Sequence, residues 1–194
     1  MEIYKLTAHY IFEKKSRIDT PRLFLRPMTE ADADLVVSWR NILAQENHSV
    51  FLNREKLSIK NHLTWFKNQR SNRIDYIFCK KSEGNPIGTV HFKKIDKLRG
   101  IAEAGKIIGD FSYRKKGLAK EAFAVWLKFG FEDLKLNKIY ALTDINNITN
   151  INLNLKLGFK AIQEKKKINF LNKDFLKMEI SKDSVYKLNK ILDI

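Results

Sequence analysis

The stretch of this 194-residue chain most able to do chemistry is the basic turn Tyr113-Arg114-Lys115-Lys116-Gly117-Leu118-Ala119-Lys120. It follows a β-like run ending near Ile108 and opens an apolar stretch with helical spacing, Leu118 to about Leu134. A helix starting at Leu118 presents unpaired backbone N–H groups and the positive end of its dipole at the turn. These are donors for phosphate oxygens, and Arg114, Lys115, Lys116 and Lys120 add Coulomb attraction. Gly117 removes a Cβ where a pyrophosphate would approach the main chain. The spacing is neither Gly-x-x-x-x-Gly-Lys-Ser/Thr nor Gly-x-Gly-x-x-Gly, so nucleotide loops of those two kinds are excluded. No Ser or Cys stands in a nucleophile–base pattern, so an acyl-enzyme is not expected. The single cysteine, Cys79, lies in an apolar run, and the four histidines show no metal-ligand spacing with it.

These groups must be positioned by a mixed set of elements. Arg22–Arg26 is a short strand ending at Pro27, and Thr29 caps a helix running to about Trp39–Asn41. Residues 42–57, with Glu46, His48 and Arg54, form a polar loop. Ser58 caps a second helix reaching about Arg70. Strands follow at Ile74–Lys80 and Ile87–Ile95, joined by a turn through Gly84-Asn85-Pro86, and at about Ile101–Ile108. After the Leu118 helix, Lys138–Asp144 alternates as the next strand. The strand–loop–helix–strand connection makes it a parallel neighbour of Ile101–Ile108. A short helix ends at Gly158 in a left-handed cap. Two last strands, about 160–170 and 175–180, precede a helical tail over 182–194. Residues 1–18 read as an arm or an extra strand.

The length is that of one domain with small appendages, and 44% hydrophobic residues suffice for a full core. A net charge of +15 favours anionic partners. The basic residues are spread along the chain without an arginine-rich tail, so charge alone does not indicate nucleic-acid binding. No run of 18 apolar residues and no signal-peptide core is evident, and the chain reads as cytoplasmic, away from membranes.

Three ordered motifs carry a resemblance. Arg114-x-x-Gly117-x-Ala119 resembles the acetyl-CoA pyrophosphate loop of the GNAT superfamily of N-acetyltransferases. Asn147-x-x-Asn150-x-x-Leu153-Asn154-x-Lys156-Leu157-Gly158-Phe159 is similar to its second signature, with Asn154 where a Tyr is common. Thr20-Pro-Arg-Leu-x-Leu-Arg-Pro-Met-Thr29-x-x-Asp32 looks like the opening of the RimJ/RimL branch. Arg40-Asn41 followed by Ser58-x-x-x-His62-x-x-Trp65-Phe66 is similar to a narrower group, which acetylates the 4-amino group of UDP-linked aminosugars in pseudaminic acid synthesis.

The resemblance covers roughly residues 20–181 and implies an α/β GNAT fold, with helices on both faces of a mixed sheet and two central parallel strands splayed apart. It implies acetyl-CoA as cosubstrate, no metal, and direct attack by a small-molecule amine. The acceptor it suggests is a nucleotide-linked aminosugar; alternatives are a protein N-terminus, as for RimJ/RimL enzymes, or a catalytically silent CoA-binding module. By the same likeness, the cofactor side comprises Ile107 and Ile108 as backbone oxyanion donors, the residues Arg114, Lys115, Lys116, Gly117, Leu118, Ala119 and Lys120, and Asn147 and Asn154. Arg40, His62 and Trp65 would meet the acceptor. The base is Glu103, His91, or a water chain without a single base. In many family members the Tyr protonates the leaving thiolate, a role that a neutral Asn154 amide cannot take. Monomer and dimer both stay open.

Overall fold

The structure is a computed structural model that describes residues 15–45, 56–68, 72–168 and 173–192. Eight strands form one sheet in the order β1-β2-β3-β4-β5-β6-β8-β7. They are β1 (Ile18–Asp19), β2 (Leu23–Pro27), β3 (Ile74–Lys80), β4 (Pro86–Asp96), β5 (Ile101–Ile108), β6 (Lys138–Asp144), β7 (Lys160–Ile168) and β8 (Lys173–Ser181). All neighbours are antiparallel except β5 and β6. That parallel pair needs a crossover, supplied by a helix, because a tight turn cannot reverse the chain twice. The two strands pair only from Ile101↔Lys138 to Glu103↔Tyr140 and then part.

The helices are α1 (Ala33–Leu43), α2 (Ile59–Asn68), α3 (Leu118–Glu132), α4 (Ile148–Lys156) and α5 (Val185–Leu192). Strand alternation sorts β3 between two cores. Ile77 and Cys79 face α1 and α2, where Val36, Trp39 and Phe66 cover them. Tyr76 and Phe78 face the opposite way, into the main core under α3. α3 buries nearly its whole circumference, since α5 lies on its outer side and seals it with Leu188 and Leu192. Trp126 stacks there on Phe92 and tilts against Tyr76.

The α/β class, the splayed parallel pair and the strand order around the basic turn agree with the sequence reading. Several details differ. The first helix opens with a 3₁₀ turn, Glu30–Asp32, because Asp32 reaches back to the Thr29 N–H at 2.8 Å while bridging Arg26. Of residues 1–18, expected as an arm or an extra strand, Ile18 pairs with β2 together with Asp19, and residues 1–14 lie outside the described residues. So do 46–55 of the polar loop, with Glu46, His48 and Arg54, and the 169–172 turn. The tail is a docked helix whose apolar side completes the main core.

Candidate active site at the parting of two parallel strands

Where β5 and β6 separate, each leaves one main-chain edge without a strand partner. Lys138 N–H donates to the Gly100 carbonyl, and Gly109 N–H, just past β5, donates to the Ile87 carbonyl of β4. Alternation between these two points turns the main-chain groups of Ala104, Lys106 and Ile108 toward the gap, and those of Gly105 and Ile107 toward β4. Ile108 can therefore offer its N–H to a carbonyl in the gap. By the same alternation the Ile107 main chain, also expected as an oxyanion donor, is turned to Thr89 of β4.

The basic turn closes one end of the gap. A 3₁₀ turn, Phe111–Tyr113, is fixed by Asp110, whose carboxylate accepts from the Ser112 N–H. Lys115 (φ 60°) and Gly117 (φ 76°) then take left-handed conformations. This swings the chain so that α3 starts at Leu118 with Gly117 as its N-cap. The first amides of α3, Leu118, Ala119 and Lys120, have no intrahelical acceptor and form a donor cluster for an anion. Lys115, Lys116 and Gly117 are exposed there, while Arg114 lies over the Phe111 ring at 3.6 Å.

A buried carboxylate anchors this turn. Glu121, 5% exposed, accepts from the Thr20 hydroxyl (2.6 Å), the Arg22 N–H (2.8 Å) and Arg22 Nε (2.6 Å). Arg22 Nη1 continues to the Lys116 carbonyl at 3.1 Å. Burial alone would raise the Glu121 carboxyl, but these donors outweigh it and hold it below its ordinary value. The Thr20-Pro-Arg22 segment thus ties the start of the sheet to the anion turn, a role that sequence reasoning did not assign.

On the α1/α2 face of the gap lies a polar cluster. His91 of β4 rests flat on Gly105 of β5, where a Cβ would collide with its Cε1 and Nε2 atoms. Burial first, then Arg73, Lys93 and Lys106, push its imidazole well below the usual histidine range, so it is neutral at pH 7. Asp75 takes a bidentate pair from Arg73 (Nε–Oδ2 2.7 Å, Nη2–Oδ1 2.7 Å). Arg73 also lies over the Trp65 ring at 4.8 Å, and Arg40 approaches that ring at 6.0 Å. His62, 3% exposed, stands 5.4 Å from Trp65. Burial, then Arg40 and Arg73, lower its affinity for a proton. Its Nδ1 has no hydrogen-bond partner among the described residues. The structure therefore brings Arg40, His62 and Trp65 together, and adds Arg73 and Asp75, which sequence reasoning missed.

Glu103 is the last β5 residue paired with β6, at the vertex of the gap, and is 4% exposed. Its carboxylate is bound by two ammonium groups, Lys93 at 2.7 Å and Lys94 at 3.0 Å. Consecutive lysines reach one carboxylate because Lys94 is left-handed (φ 52°) in the β4 irregularity, which turns both to one side. A carboxylate so occupied is poorly placed to take an amine's proton.

On the opposite, α3 face, Asn154 of α4 is fully buried. Its Nδ2 donates to Thr143 of β6 at 3.3 Å and its Oδ1 accepts from Lys106 Nζ at 2.7 Å. Asn147 caps α4, its Oδ1 accepting from the Asn150 N–H at 3.0 Å, so its side chain is committed to the helix start. Among the described residues no three His, Cys, Asp or Glu side chains group as metal ligands, and no helix is long and apolar enough to cross a membrane.

Comparison with known proteins bears on this geometry. The acetyltransferase (GNAT) domain family matches residues 22–160, which hold the whole gap and the basic turn. An uncharacterized N-acetyltransferase, p20, of Bacillus licheniformis is 32% identical over 148 residues, 73% of this chain and 80% of that protein. Spermidine N(1)-acetyltransferase of Escherichia coli (strain K12) is 33% identical over 84 residues, only 43% of this chain and 45% of that protein. Among solved structures, spermidine N-acetyltransferase of Vibrio cholerae, in complex with CoA and spermine, superposes with a TM-score of 0.74 at 20% identity, covering 85% of this chain and 98% of that one. A domain from Methanocaldococcus jannaschii gives 0.70 at 24% identity, over 84% and 99% of the two chains. At such identities the structural likeness speaks for the fold, and it is the family match across the gap and the anion turn that makes this chain a member of the GNAT family, an acetyl-CoA-dependent N-acetyltransferase.

Proposed function

We propose that the chain transfers the acetyl group of acetyl-CoA to a primary amine carried by an anionic small molecule, of the kind a nucleotide-linked aminosugar represents. The observation that carries this reading is the charge of the α1/α2 face. Arg40, Arg73 and Lys93 converge there, and the two buried carboxylates nearby, Asp75 and Glu103, are already neutralised by Arg73 and by Lys93 and Lys94. A guanidinium pair flanking an indole suits a phosphate or sugar-acid group with a flat base or ring. The neutral amine attacks the thioester carbonyl directly, its oxyanion met by main-chain donors of the β5 gap edge such as the Ile108 N–H. The amine's proton leaves through His91 or water. A neutral imidazole that binds protons weakly suits a relay to solvent rather than a store. On the cofactor side, the Arg114–Lys120 turn takes the pyrophosphate.

The names of the relatives favour a second acceptor, spermidine. A polyamine is a polycation, and the paired carboxylates on this face leave it little to bind. A protein N-terminus, the RimJ/RimL reading, is a third candidate. The test is CoA release with a UDP-linked 4-amino sugar, spermidine and short peptides side by side. The reading expects the aminosugar to be favoured at least tenfold in kcat/KM, and Arg73→Ala to raise its KM about tenfold. Preferential turnover of spermidine would replace the reading.

A further inference from the structure

The family chemistry releases a thiolate, and the position where a phenol often protonates it holds the neutral amide of Asn154. The amide is not alone. Lys106 lies three residues past the last β5–β6 pair, and its side chain enters the α3 face of the gap. Its ammonium sits 4.0 Å from the centroid of Phe123 on α3 and 2.7 Å from Asn154 Oδ1 on α4. Thr143 of β6 fixes the other end of the amide, so Oδ1 must face the lysine. One strand of the gap thus supplies a proton-bearing group, and the other supports the amide that aims it. The acceptor-side groups, His91 and Arg73, lie across the sheet.

We infer that Lys106 is the acid that protonates the departing CoA thiolate, with Asn154 holding its ammonium beneath the gap. It rests on the acetyl-transfer reading but not on which amine is the acceptor. The amine nitrogen forms a bond to the carbonyl carbon, and the C–S bond breaks as the tetrahedral oxyanion collapses. The sulfur electron pair takes a proton from Lys106. The acceptor, entering as an ammonium ion, gives up two protons to solvent in becoming an amide. One of these is balanced when neutral Lys106 regains a proton from solvent, and one is released. Burial lowers the Lys106 ammonium to about 7, so it gives up a proton readily near neutral pH. The Phe123 ring face and the Asn154 carbonyl both favour the protonated form and keep it in place against that loss of hydration.

The test uses Lys106→Met, which removes the proton, and Lys106→Arg, which keeps the charge but not a usable acid. CoA release is followed with spermidine, with a UDP-linked aminosugar, and with water in the slow hydrolysis of acetyl-CoA, which breaks the same bond. Acetyl-CoA affinity is measured by calorimetry. An acid must be protonated to act, so the wild-type rate should fall as pH rises above its value in the complex. The inference expects both variants to lose about 10²–10⁴-fold in kcat with CoA affinity kept within a few-fold. It also expects the descending alkaline limb to vanish. If neither amine reacts but Lys106→Met still slows hydrolysis, the acceptor reading falls and the acid stands. The inference is overturned if Lys106→Arg retains near-wild-type rates, if Lys106→Met is less than threefold slower, or if the alkaline limb persists. Stoichiometric acetylation of Lys106 in working enzyme, seen by intact mass, would also overturn it, because an amide has no ammonium proton to give.

Discussion

Replacing Glu121 with Ala should loosen the anion turn, and the cost can be worked from its three donors. The Thr20 hydroxyl can turn to the Leu23 carbonyl, 3.0 Å away, and loses little. Arg22 Nε belongs to a half-exposed side chain, and water can replace the carboxylate. The Arg22 N–H is part-buried, and leaving it without its acceptor costs about 1–2 kcal/mol, below the top of the range for a fully buried donor. A destabilisation of about 2 kcal/mol is therefore expected. For a chain of this size that is about 4–8 °C in the thermal midpoint, readable by calorimetry. Glu121→Gln keeps an oxygen for the Arg22 N–H and should lose roughly half as much. Because Arg22 also holds the Lys116 carbonyl, acetyl-CoA affinity should fall several-fold in Glu121→Ala. The pH dependence has a definite sign. The folded-state value lies below the ordinary 4.5, so the carboxylate's contribution is present above 4.5 and lost as pH falls through the folded value. The gap between wild type and Glu121→Gln should accordingly close as the pH falls below the ordinary carboxylate range. A midpoint shift under 2 °C with unchanged CoA affinity in Glu121→Ala refutes the anchoring role. A Gln variant as unstable as the Ala variant would mean that charge, not hydrogen-bond acceptance, does the anchoring.

Gly117→Val forces a β-branched residue to φ 76°, where an added Cβ meets only Arg22 Nη2 at 3.4 Å. The penalty is conformational, about 1–2 kcal/mol, and calorimetry should show acetyl-CoA affinity at least tenfold weaker in a folded protein. Affinity equal to wild type removes the turn from the cofactor site. Gly105→Ala should drive the His91 ring off β5, lowering turnover about tenfold or more with CoA affinity intact. Adding His91→Ala to that variant should cost nothing further, and a full additional loss in the double variant denies that the two act together. Glu103→Gln should change turnover by less than threefold while lowering the thermal midpoint by a few degrees, since it breaks two ion pairs. A large fall in turnover, rescued at high pH, would instead restore Glu103 as the base.

The strands that frame the gap, β5 and β6, were legible in the sequence, because each is an alternating or apolar run bounded by a turn. Equally legible was the helix start at Leu118, marked by Gly117 and a change of period. What local pattern could not show is pairing over distance. Thr20 and Arg22 meet Glu121 about a hundred positions away, and nothing near Glu121 distinguishes it from a surface glutamate in a first helical turn. Arg73 and Asp75 stand two apart on β3, so they share a face, but only the fold shows that this face lies beside Trp65. Glu103 read as a candidate base because the β4 irregularity that turns Lys94 onto it leaves no mark in composition. Lys106 drew no attention in the sequence for a related reason: its partners, Asn154 and Phe123, lie on two helices distant along the chain. The insertion of β8 between β6 and β7 is a choice of topology that residue types do not encode.

The three-residue contact between β5 and β6 divides the sheet into a block β1–β5 and a block β6-β8-β7 with few ladder bonds between them. Hydrogen exchange should register that seam as an alternating signal along one strand. The amides of Gly105 and Ile107, turned to β4, should be protected to nearly the global unfolding limit, while those of Ala104, Lys106 and Ile108 between them exchange through small local openings. A ligand chain with amides of its own, threaded into the seam, would act as the missing rung. Its binding should then be read as sheet completion: slow exchange at every second β5 amide, and a thermal midpoint that climbs with ligand concentration by mass action.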